Sequence, residues 1–139
     1  MENLKEERKL QLVTTQKYTT HTNVEEETIE AVIARRNGTS YITFKQIIPD
    51  YQVEVSNLIK VKNGVVTIKR SGALTSTMVF DISKEYLTDY ETPYGMLDVR
   101  VKTEGVESIF LEGHVKLEIS YEMTMQGKKV SDNTYCIKG

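Results

Sequence analysis

From Val115 to Met125 apolar and polar residues alternate without a break, with Val115, Leu117, Ile119, Tyr121, Met123 and Met125 on one side and Lys116, Glu118, Ser120, Glu122 and Thr124 on the other. Successive side chains of a β-strand point to opposite faces, so this is a strand with one buried face. Period two runs through most of the chain, and no long helical stripe competes with it. Met1 to Lys9 is the exception: it is charged without a defined apolar face and reads as a frayed tail or short helix. Turn signals at Asn37-Gly38, Pro49-Asp50, Asn63-Gly64, Gly72, Pro93-Tyr94-Gly95, Gly105, Gly113 and Gln126-Gly127 cut the rest into about eight to ten strands. Short connections make neighbours antiparallel, and that many strands in 139 residues most economically close into a barrel, which removes exposed edges. The expectation is one all-β domain over residues 1–139, a closed antiparallel meander β-barrel.

The turns also set register. A two-residue turn at Asn37-Gly38 places Ile33 opposite Ile42 and Ala31 opposite Phe44 on one face, with Glu30 opposite Lys45 on the other. At Asn63-Gly64 the same logic pairs Val61 with Val66 and Ile59 with Ile68, and continues to Asn57 beside Arg70. A three-residue loop, Gly72-Ala73-Leu74, then brings Phe80 opposite Val66, Met78 opposite Ile68 and Ser76 opposite Arg70; an even loop would set apolar against polar. Arg70 therefore faces inward, in a row with Asn57 and Ser76.

An inward guanidinium is always charged and needs a carboxylate, an anion or water. In a purely architectural role Arg70 snorkels out at a strand end or pairs internally. In a functional role it is the polar end of an apolar cavity and orients an acidic ligand, with Asn57, Ser76 and Tyr90 as further ligand-binding groups. The next hairpin is ambiguous. A three-residue turn at Pro93-Tyr94-Gly95, with Gly95 left-handed, closes Thr92 on Met96 and points Asp89 and Glu91 inward, which would suit an enzyme with a carboxylate acid or base and Arg70 as anion clamp. A loop longer by one residue instead puts Tyr86, Thr88 and Tyr90 inside, opposite Val101, Val99 and Leu97. Two carboxylates are cheaper in water, which leans toward the tyrosine register.

The span from Val65 to Val99 carries "IKRSG", "MVF" and "YETPYG" in that order, and there the chain resembles the YwiB-like family of uncharacterised bacterial proteins, a domain of unknown function with a calycin-like β-barrel. The motif positions are Arg70, Gly72, Tyr90, Thr92, Pro93, Tyr94 and Gly95, of which Thr92 to Gly95 are explained by turn chemistry. The resemblance implies a small closed antiparallel barrel of the lipocalin kind, which holds its ligand in the lumen. It implies no activity and no catalytic residues.

Composition narrows the classes further. A net charge of −2 with mixed signs offers no field for nucleic acid, and no apolar run approaches the ~18 residues of a membrane helix. The first residues, MENLKEERKL, lack an apolar h-region, and the single Cys136 has no internal disulfide partner, so the cytoplasm is the expected compartment. His21 and His114 lack metal-ligand spacing, and there is no Gly-x-Ser-x-Gly elbow, Walker loop or dinucleotide fingerprint. Cys136 alternates like a small apolar side chain, and Glu25-Glu26-Glu27 reads as a solvated turn. Neither cofactor nor metal is expected. The expected partner is a small-molecule ligand, with a homodimer left open and a filled lumen in a structural or oligomerisation role as the blander outcome.

Overall fold

A computed structural model describes the backbone of residues 4–48, 52–72, 75–92 and 95–139, with side chains throughout except at 4, 48, 88–92 and 95–97. Its ten strands are β1 (Leu4–Lys17), β2 (Thr22–Arg36), β3 (Thr39–Ile48), β4 (Val53–Lys62), β5 (Val65–Gly72), β6 (Ser76–Phe80), β7 (Glu85–Thr92), β8 (Gly95–Leu111), β9 (His114–Met125) and β10 (Lys128–Lys138). No helix is present among the described residues, so none is long and apolar enough to cross a membrane. The strands form one antiparallel sheet in the order β6-β5-β4-β3-β2-β1-β10-β9-β8-β7, a meander joined through its first and last strands. The two edges, β6 and β7, meet in a tight turn where Asp81 bridges Lys84, and the sheet curls into a nearly closed barrel with its seam there. The Asp81 carboxylate accepts hydrogen bonds from the Ser83 hydroxyl at 2.7 Å and the Ser83 amide at 3.0 Å, and these hold its pKa below the usual carboxylate value.

The turn chemistry explains the register. Asn37-Gly38 and Asn63-Gly64 both have two successive positive φ values, 52° and 79°, then 51° and 76°, the type I′ geometry that matches strand twist. They give the pairs Ile33–Ile42 and Ala31–Phe44, then Val61–Val66, Ile59–Ile68 and Asn57–Arg70. The β5–β6 ladder pairs Arg70 with Ser76, Ile68 with Met78 and Val66 with Phe80, as the sequence predicts; Ala73 and Leu74 lie outside the described residues, as do Pro49 and Asp50. Inward residues of β1 to β6 and β8 to β10 build the core, in which Ile33, Ile42, Ile59, Val66, Leu117, Ile119 and Ile137 are fully buried.

Three readings need correction. Residues 4–9 are neither a tail nor a helix but the start of β1, laddered to β2 from Leu4–Arg35 onward. The alternation is disguised because Glu6 and Arg8 take the positions in line with buried Leu10 and Leu12, while Lys5, Glu7 and Lys9 face water. Arg8 Nη1 lies 3.7 Å from Glu6 Oε1, and its Nη2 donates to the Gly113 carbonyl at 3.2 Å; beside it Arg35 donates to the Phe110 carbonyl at 2.9 Å. These contacts pin the β8–β9 hairpin across that end of the barrel. Second, Gly105 is not a turn but a bulge inside β8, where the inward set switches from Val99, Val101 and Thr103 to Val106 and Phe110. Third, Glu25 to Glu27 belong to β2.

Gly72 follows Arg70 by two residues at φ 118°, and a β-carbon there would stand 2.8 Å from the Glu54 carbonyl oxygen. Gly64, at φ 76°, has open space around it. In urea melts Gly72→Ala is expected to cost about 2 kcal/mol or more, from a disfavoured backbone plus a collision with main chain, and Gly64→Ala about 1 kcal/mol from the backbone alone. Equal losses would mean that the close approach at Glu54 carries no energy.

Candidate functional site

The inner faces of β4, β5 and β6 bring Asn57, Arg70 and Ser76 side by side, and all three line a lumen cavity of about 780 Å³. Asn57 and Ser76 are buried, Arg70 is half-buried, and Lys69, its neighbour on the opposite face, is exposed. Leu12, Ile68, Met78, Phe80, Val99, Met123 and Met125 supply apolar wall. Unbranched methionines can re-pack around differently shaped tails.

Polar groups gather toward one end. Asn57 Nδ2 donates to Gln46 Oε1 at 3.0 Å, and Gln46 Nε2 donates in turn to Glu27 Oε1. From β5 to β2 the wall thus reads Arg70, Asn57, Gln46, Glu27. Arg70 itself makes no hydrogen bond or ion pair with any described residue, and its Nε is buried without a partner. Across the lumen the Tyr135 hydroxyl also lines the cavity; burial pushes its pKa up, and the Arg70 charge acts in the opposite direction. A cation without a partner among the described residues, set beside the Asn57 amide and Ser76 hydroxyl with the Glu27 carboxylate at the far end of the row, can orient the acidic head of an amphipathic molecule.

Gln46, Glu27 and Tyr135 are missing from the sequence-based site. Tyr135 sits in the inward register with Ile137, and Glu27 continues inward from Ile29, Ala31 and Ile33, so alternation carried through the polar run would have found both.

The β7–β8 ladder pairs Tyr86 with Val101, Thr88 with Val99 and Tyr90 with Leu97, the tyrosine register. It closes on Thr92–Gly95, around two residues instead of a longer loop; a shift of one residue in either direction has the same effect on register. The pairing on which an inward Asp89 and Glu91 depended does not occur. The side chains of Asp89, Tyr90, Glu91 and Thr92 lie outside the described residues, as do Pro93, Tyr94 and the left-handed conformation assigned to Gly95.

Other reactive groups stand apart. His21 is exposed in the β1–β2 connection, its ring stacked on Tyr18 at 4.7 Å, and His114 is exposed at the start of β9. Burial raises the Cys136 pKa, the wrong direction for a nucleophilic thiol. Carboxylates of Glu104, Glu122 and Asp132 converge, but the Lys129 ammonium is already among them, 3.0 Å from Asp132 and 3.9 Å from Glu122.

Fold and site define a ten-stranded antiparallel β-barrel with a cavity in its lumen and one arginine in the cavity wall. The chain belongs to the family described as a domain of unknown function, DUF1934, which matches residues 10–137. It is 26% identical over 99 residues to the "Uncharacterized beta-barrel protein YwiB" of Bacillus subtilis (strain 168), covering 68% of this chain and 70% of that one. The crystal structure of ywiB protein from Bacillus subtilis is similar with a TM-score of 0.82 at 19% identity, over 94% of this chain and 87% of that chain, a likeness of fold. The resemblance carried by residues 65–99 is borne out at the level of family and barrel.

Proposed function

We propose that this chain is a binding protein whose lumen takes one small amphipathic ligand with an acidic head. Arg70 is the counter-charge; Asn57, Ser76 and Tyr90 orient the head, joined by Tyr135, and the apolar wall from Leu12 to Met125 takes the tail. The observation that carries the reading is the Arg70 guanidinium, half-buried with an unpartnered Nε at the polar end of the cavity. A buried donor on a cation costs about 1–3 kcal/mol or more when unmatched, and a carboxylate, sulfonate or phosphate oxygen would satisfy it. The cavity volume falls within the roughly 300–1,000 Å³ of small-molecule sites. The row of Arg70, Asn57 and Ser76 on adjacent strands also favours one orientation of the head.

Native mass spectrometry of protein purified from its own cells tests this directly. A discrete small-molecule adduct, released on denaturation and acidic by negative-ion analysis, is the expected result. Protein that is empty as isolated and that binds no medium-chain carboxylate, sulfonate or phosphate on titration would end the proposal.

A further inference from the structure

The barrel wall is split at the cavity. β2 runs from Thr22 and β3 runs to Ile48, yet their ladder covers only Ala31–Arg36 against Thr39–Phe44. Beyond it β2 stays with β1 back to Thr22, and β3 stays with β4 as far as Ile48 paired with Val53. The two strands diverge and leave a cleft. The Glu30–Lys45 pair that the turn register predicts is the first lost, and Lys45 pairs with Glu54 at 3.5 Å instead. Every side chain from Thr22 to Thr28 is exposed, as expected of a strand with a free edge. The cavity reaches both lips of the cleft, at Glu25, Glu26 and Glu27 on one side and Gln46 and Ile47 on the other. Each lip also carries an exposed apolar side chain, Val24 and Ile47, both 63% exposed. The Gln46–Glu27 hydrogen bond spans the cleft, the one described side-chain bond that does so.

We infer that the lumen is loaded sideways through the β2–β3 cleft, and that the Glu27–Gln46 bond is its latch. This rests on the ligand-binding reading above. An apolar tail meets Val24 and Ile47 first, and parting one exposed hydrogen bond opens the way without breaking a ladder. The same Gln46 amide holds Asn57 beside Arg70 through its oxygen, so latch and polar row are one connected chain of side chains. The three glutamates at the lip repel an anionic head and favour passage tail first, which leaves the head at the polar end when the tail has filled the chamber.

The test uses 8-anilino-1-naphthalenesulfonate, an anionic amphipath, and stopped-flow fluorescence. Glu27→Cys and Gln46→Cys are combined in a Cys136→Ser background and joined with a short bis-maleimide, and the same reagent joins Thr43→Cys to Leu58→Cys across the intact β3–β4 ladder, where those residues are direct partners. The expected result is a probe on-rate at least tenfold slower after cross-linking residues 27 and 46, with the 43–58 cross-link within about twofold of its uncross-linked parent. On-rates unchanged by the 27–46 cross-link, or slowed equally by both, would overturn the portal while leaving lumen binding intact. Probe that binds neither wild type nor the uncross-linked variants overturns the binding reading, and the portal with it.

Discussion

Arg70→Ala is expected to weaken binding of an acidic amphipath such as decanoate by about 100-fold, while Lys69→Ala changes it by less than about twofold. The two positions are adjacent in sequence and on opposite faces of β5, with Arg70 in the cavity wall and Lys69 exposed. A charge-assisted hydrogen bond contributes about 1.5–3 kcal/mol, and a guanidinium can offer two in parallel, so losing it is worth roughly two decades of affinity. Arg70→Lys keeps the charge but not the planar fork, and an intermediate loss near tenfold is expected. Titration calorimetry reads all three variants. Stability separates this role from an architectural one. Arg70 has no partner among the described residues, so removing it from the ligand-free barrel strands no other group, and the urea midpoint of Arg70→Ala should hold or rise. A midpoint that falls by more than about 1 kcal/mol equivalent, with unchanged affinity, would make Arg70 a structural residue.

How much of this was legible depended on where local chemistry forces the geometry. Asn37-Gly38 and Asn63-Gly64 demand positive φ at two successive residues, and few alternatives satisfy that; once the turns are placed, the parity of each strand follows and Arg70 must lie inward. Pro93-Tyr94-Gly95 constrains less. The same three residues suit loops of different length, and each one-residue change reverses the faces of Tyr90 and Glu91, so only the ladder decides. At the N-terminus the inward positions hold Glu6 and Arg8, whose company is the Gly113 carbonyl, 105 residues away from Arg8 in sequence. No local pattern announces that contact. Glu25 to Glu27 mislead for a related reason: a strand beside a cleft is exposed on both faces, so the alternation that betrays a strand is absent. The row from Arg70 to Glu27 crosses four strands and combines residues 70, 57, 46 and 27, and its two amides look ordinary until the barrel is assembled.

The largest loss of stability is expected at Phe80, the last residue of β6. Its ring is 1% exposed, pairs with Val66 across the ladder and tilts against Tyr121 with centroids 4.7 Å apart. It also immediately precedes Asp81, whose turn forms the described link between the two edge strands. Truncation removes the transfer energy of a buried ring, the aromatic contact and the packing that holds β6 near the seam. Collapse cannot recover much of this, because the facing walls belong to hydrogen-bonded ladders and the space opens into an existing cavity. Phe80→Ala should therefore cost about 3–5 kcal/mol, the usual range for such a truncation, and lower the melting temperature by roughly 10 °C or more. Val79→Ala is the internal comparison. Val79 is one residue away in the opposite register and only half-buried, so its truncation should cost about 1 kcal/mol or less. Comparable losses at 79 and 80 in urea melts would mean that β6 does not hold its inward register in solution. Ser76, four pairs along the same strand, would then no longer be held beside Arg70, and the polar end of the cavity would lose one wall.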